Sequence, residues 1–187
     1  MTGIAYSRKF TAALLVLTLG AGASVGLLTP AFAATPASSC TTPTFPRSTT
    51  ATAGTNPRHV LTADLDGDGD TDVVAANLDG NSVTVLLNSG DGSFAAATTY
   101  TTDSLPVAVG SGDVDGDGTA DLLVSSLNGD SVAVYRGGSE QLSLLTTLTA
   151  DGAYDASVAD LDDDGTADIA VAAGGAGQVV TFTGSCS

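Results

Sequence analysis

Residues 64–72 read Asp64-Leu65-Asp66-Gly67-Asp68-Gly69-Asp70-Thr71-Asp72, five aspartates in nine residues. Like-charged carboxylates sharing one short loop repel, and they cannot all ionise cheaply without a counter-charge. A bound cation supplies it. Hard oxygen donors at alternate positions, with glycine where the chain must turn sharply, match the requirements of Ca²⁺; Mg²⁺ demands a tighter octahedron and gives up water reluctantly.

The pattern D-x-D-x-D-G-x-x-D recurs as DVDGDGTAD from Asp113 to Asp121 and DLDDDGTAD from Asp160 to Asp168. The starts at 64, 113 and 160 lie 49 and 47 residues apart, a period found in propeller blades and solenoid units. The flanks repeat as well. VVAANL, LLVSSL and IAVAAG follow the closing aspartates, and Val83, Val132 and Val179 each stand eleven residues beyond them. These short runs of Val, Ala, Thr and Leu, divided by Gly, Asn, Asp and Ser, predict strands and turns, with no capped helical stripe beyond the N-terminal segment. In the first repeat the strands fall at about 58–63, 72–77, 82–87 and 94–101. An EF-hand is excluded, because its twelfth position needs a bidentate Glu and here holds Ala75.

Together with NSVTVLLNSGDGSF and LPVAVGSGDVDGDGTADLLV, these loops resemble the FG-GAP or VCBS-type repeat of integrin-α-like β-propellers, over residues 43–184. The resemblance implies an all-β propeller-like array of four-stranded blades, with Ca²⁺ in the loop joining the first two strands of each. Blades are expected at about 58–101, 107–149 and 154–184, inside a repeat region of 43–187. About three ions are implied. Their side-chain ligands would be Asp64, Asp66, Asp68 and Asp72; Asp113, Asp115, Asp117 and Asp121; and Asp160, Asp162, Asp164 and Asp168. Asp70, Thr119 and Thr166 would offer backbone carbonyls. Propellers of this family usually carry seven blades, and three are encoded here.

The third repeat lacks a fourth strand. Phe45 precedes its Asp loop by the same 19 residues as Phe94 does, so residues 44–54 are expected to complete the third blade. The same alignment brings Cys40 and Cys186 to one hairpin turn, as a disulfide within one chain or between two. Two arrangements remain open: a single chain closing on itself as a monomer, or a head-to-tail homodimer sharing six blades.

The first 33 residues combine Arg8 and Lys9, an apolar run and the box Ala31-Phe32-Ala33, the pattern of a cleaved secretory signal peptide. Residues 34–42 read as a linker, and the expected location is extracellular. Removing residues 1–33 leaves three arginines against 21 acids, a net charge of −18. That charge opposes binding to nucleic acid or anionic lipid. Fourteen of the acids fall in the three loops, which is concentration rather than a dispersed solubilising surface.

Enzyme chemistry has little to draw on, since the remaining chain has one His (His59), one Glu (Glu140) and no Lys. The expected function is a calcium-stabilised, non-enzymatic interaction or adhesion module with an extracellular protein or glycan as partner. A lectin-like propeller or an enzyme accessory subunit is the alternative. In the inter-blade loops Arg58, His59, Tyr154 and Asp155 break an otherwise small, neutral pattern and mark a candidate ligand patch.

Overall fold

The computed structural model describes Thr42, Thr44, Phe45 and residues 47–138, 141–175 and 177–185. The segment 1–33, Cys40 and Cys186 lie outside these residues, so the signal-peptide and disulfide expectations do too. The chain divides into two units, Met1–Pro46 and Arg47–Ser187, and the second holds every strand described.

Eleven strands and no helix form the described chain. The first sheet is β1 (Pro57–Ala63), β2 (Asp72–Asn77), β3 (Ser82–Leu86) and β4 (Thr98–Thr101). The second is β5 (Pro106–Gly112), β6 (Asp121–Ser126), β7 (Ser131–Arg136) and β8 (Ser143–Thr149). The third is β9 (Ala153–Ala159), β10 (Asp168–Ala173) and β11 (Gln178–Phe182). Each is an antiparallel meander in chain order. The β2–β3, β6–β7 and β10–β11 hairpins end at Asn81, Asp130 and Gly177, all at positive φ, a backbone region that Gly, Asn and Asp tolerate best. The outer strand of the first sheet starts later than the sequence predicts. Residues 89–93 form a turn in which Asn88 Oδ1 accepts from the N–H groups of Gly90 and Gly92, and only an isolated Asn88–Phe94 bridge precedes Thr98.

Successive sheets pack through their first strands, β1 on β5 and β5 on β9. Two apolar layers result. Val74, Val83 and Val85 of the first sheet meet Val109, Leu122 and Val124 of the second. Leu123, Val132 and Val134 on its opposite face meet Ile169 and Val171 of the third. Strand β6 is therefore buried along its whole length, which is why DLLVSS opens as an apolar run rather than an alternation. Gly112 permits the close approach of β5 to β9, because a Cβ there would come within 2.6 Å of Val158.

Among the described residues no packing of this kind joins the third sheet back to the first, and none covers the far face of the third sheet. Val179 is 72 % exposed, whereas Val83 and Val132 at the same repeat position are fully buried. Among the described residues the expected closing strand at 44–54 is not found: residues 47–54 carry no strand, and β10 lies between β9 and β11 with no fourth described strand beside them. The physical reason is a tether. The buried Asn77 amide accepts from the Gly54 N–H at 3.0 Å and donates to Ser82 Oγ and Thr84 Oγ1. Residues 49–52 accordingly line a depression of about 410 Å³ with Leu86 and Phe94 on the first sheet.

The inner layers should be sensitive and the open face tolerant. Leu123→Ala is expected to lower the unfolding free energy by about 2–5 kcal/mol, and Val179→Ala by less than about 0.5 kcal/mol, both read from urea denaturation.

Candidate metal sites

All three aspartate loops occupy the connection from the first to the second strand of a sheet, and the last aspartate of each opens the second strand. That residue is buried every time: Asp72, Asp121 and Asp168 are at most 1 % exposed. Its two oxygens do the same work in each copy. Asp72 accepts from the Leu65 and Asn88 N–H groups, both at 2.9 Å. Asp121 accepts from Val114 at 2.8 Å and Gly137 at 3.0 Å. Asp168 accepts from Leu161 and Gly184, both at 2.7 Å. One carboxylate thus ties the start of its loop to the turn after the third strand, 16 residues further on.

The loop itself winds around its first aspartate. Asp64 accepts from the Gly67 and Gly69 N–H groups, and Asp113 from Gly116 and Gly118. The first glycine position of the loop has positive φ in all copies; in the third it is Asp163, at 61°. Asp160 accepts from Gly165 at 3.0 Å. The third-position aspartates, Asp66, Asp115 and Asp162, each accept through Oδ1 from the N–H two residues on.

This winding gathers three triads: Asp64, Asp66 and Asp72; Asp113, Asp115 and Asp121; Asp160, Asp162 and Asp168. Within each, one oxygen per residue lies within 4.8 Å of the others. The fifth-position residues, Asp68, Asp117 and Asp164, are not in the triads; each accepts from the N–H of the seventh residue, Asp70, Thr119 or Thr166. Burial raises the pKa of Asp66 and Asp121 above the usual carboxylate value, and neighbouring aspartates add to the rise. The hydroxyl and N–H of Thr166 lower that of Asp164. The raised groups hold a proton more readily folded than unfolded, so their ionisation costs stability at neutral pH, and the cost disappears as pH falls through their folded values.

The donor set fits a hard cation. Every triad oxygen is a carboxylate oxygen, and Asp115 Oδ2 is buried with no backbone N–H on it. The only ion pair among the described residues is the contact of Arg136 with that same oxygen. The sequence patterns do not point to this contact; its trace is a single arginine at the repeat position where the other copies hold Leu87 and Thr183.

The four residues of the candidate ligand patch fall on two strands, Arg58 and His59 on β1 and Tyr154 and Asp155 on β9. All four are exposed. Strand β5 packs against both β1 and β9, and at the same register it carries Val107 and Ala108. His59 has a structural partner, its Nδ1 accepting from the Val109 N–H at 3.3 Å across the first inter-sheet contact.

Three tandem antiparallel sheets with one acidic loop apiece define an all-β repeat protein. The FG-GAP-like repeat profile matches residues 64–124 and again residues 113–171, more than half of the chain. The protein belongs to the FG-GAP-like repeat family. No curated protein matches it in sequence.

The closing aspartate should matter to the fold even without metal. In EDTA, Asp121→Asn is expected to cost about 1–3 kcal/mol in urea denaturation, because an amide leaves one of its two buried N–H partners facing a donor. Asp117→Asn, exposed and still able to accept from Thr119, should change stability by less than about 0.5 kcal/mol.

Proposed function

We propose that this protein is a secreted, non-enzymatic interaction module whose three acidic loops bind Ca²⁺ as structural ions. One observation carries the reading: three oxygen-only triads at the same place in three successive sheets, each closed by a fully buried aspartate. An ion in each would neutralise carboxylates that otherwise repel at the point where the loop meets the sheet. Asp64, Asp66 and Asp72 and their counterparts would supply side-chain oxygens. Asp68, Asp117 and Asp164 would join on a small rotation toward the ion, and Asp70, Thr119 and Thr166 would add carbonyls.

Extracellular calcium modules bind at about 10⁻⁴–10⁻³ M. At about 1 mM Ca²⁺ linkage then gives roughly 0.4–1.4 kcal/mol per site, a substantial fraction of a small domain's stability. Secretion into a calcium-rich medium accords with the N-terminal sequence pattern. The non-enzymatic reading rests on the scarcity of acid–base side chains and on the His59 imidazole being engaged between sheets. The ligand is an extracellular protein or glycan, with the exposed Arg58, Tyr154 and Asp155 among its contacts.

A six-blade head-to-tail dimer has specific support in the open face of the third sheet, where Val179 and Leu161 are exposed while their repeat counterparts Val132 and Leu65 are buried. A single three-blade ring would have to cover the same face with residues that lie on the first sheet.

Calorimetric titration with CaCl₂ should show about three sites, and EDTA should lower the melting temperature by about 3–10 °C. Mg²⁺ at equal concentration should restore less than half of the shift. No heat of binding and an unchanged melt in EDTA would refute the proposal.

A further inference from the structure

The three acidic loops are alike in backbone but not in charge. In the first and third repeats the residue at the end of the third-strand region is Leu87 or Thr183, and in the second it is Arg136. Arg136 closes β7, directly before Gly137, whose N–H holds Asp121 Oδ1 at 3.0 Å. The backbone there is fixed, since a Cβ on Gly137 would collide with the Ala120 carbonyl. The guanidinium therefore starts from a set point beside the triad and reaches Asp115 Oδ2.

That oxygen is the one an incoming ion needs. Asp115 Oδ1 already accepts from the Asp117 N–H at 3.1 Å, and both oxygens of Asp113 and of Asp121 accept from backbone N–H groups. Oδ2 alone accepts from no backbone N–H, and the Arg136 guanidinium occupies it instead. The Asp115 side chain is 17 % exposed and that of Arg136 is 49 % exposed, so the arginine can leave the carboxylate and be solvated without disturbing the sheet.

We propose that Arg136 is a tethered counter-ion that competes with Ca²⁺ for Asp115, making the second loop the weakest of the three sites. The inference rests on the calcium reading above and adds a residue that regulates one site. A cation covalently held at the triad offsets one of its three carboxylate charges without metal, and an ion must displace it to bind. When free calcium falls, the second loop empties first. The guanidinium then returns to Asp115, while the first and third loops keep their ions to lower concentrations.

Calcium titration by calorimetry on the whole secreted chain, wild type against Arg136→Leu, tests this. Leu is the residue of the first repeat at this position. The wild type should show two tighter sites and one weaker by about tenfold, and in Arg136→Leu the weak site should join the other two. The melting temperature of Arg136→Leu should fall in EDTA and match or exceed wild type in saturating calcium. Arg136→Lys, which keeps the charge, should retain a weak site and guards against misfolding of the leucine variant. Three equal sites in the wild type, or a weak site that Arg136→Leu leaves unchanged or weakens further, would overturn the proposal. Binding of no calcium by either protein would refute the calcium reading itself, and this inference with it.

Discussion

The last carboxylate of each acidic loop is the contact on which the remaining structure depends. Asp72, Asp121 and Asp168 open the second strand of their sheets, and each binds two backbone N–H groups, one at the start of its own loop and one 16 residues further on. A charged acceptor forms stronger hydrogen bonds than a neutral one, and inside the fold the two donors would otherwise go unpaired. At Asp121 burial disfavours that charge and raises the carboxyl's pKa above its usual value. The fold thus places an unfavourable buried charge where it is most useful as a staple. A cation beside it removes the disadvantage and leaves the hydrogen bonds in place.

Seen this way, the loop and the sheet are one device. The glycines and Asp163 at positive φ let the chain curl around the first aspartate, the third-position aspartate closes the curl, and the ninth anchors it to the turn after the third strand. Three side chains separated by up to eight residues converge as a result. Convergence of like charges is costly alone, and the second loop contains its own partial answer in Arg136. The other two loops have no such partner among the described residues, so their repulsion is left to ions and to screening by salt.

The sheets are held by apolar layers, and the same repeat logic explains where they end. The second sheet is covered on both faces and the third on one. The exposure of Val179 beside the burial of Val83 and Val132 reflects position in the array, not composition. The first sheet escapes this because residues 47–54 are tied to it through Asn77. That tether is also why the N-terminal segment does not supply the third sheet's missing strand. Spacing from Phe45 to its loop matched spacing from Phe94, but equal spacing carries no information about which sheet a strand joins. A single buried amide with three hydrogen-bond partners decided it.

Short runs of Val, Ala, Thr and Leu divided by turn residues, and three aspartate loops in one register, were enough to establish, from sequence, an all-β repeat with strands at nearly their observed places. Those are local properties: each depends on a residue and its neighbours within a few positions. The roles within the loops were legible only in part. Alternating aspartates marked the sites, yet the separation of the fifth aspartate from the triad and the stapling role of the ninth depend on backbone winding. What tertiary structure alone decided are contacts between residues far apart in the chain: His59 with Val109, Arg136 with Asp115, and Gly54 with Asn77. The physical reason is that a side chain's partner is set by how sheets pack, and packing depends on the shape of whole apolar faces rather than on any local pattern.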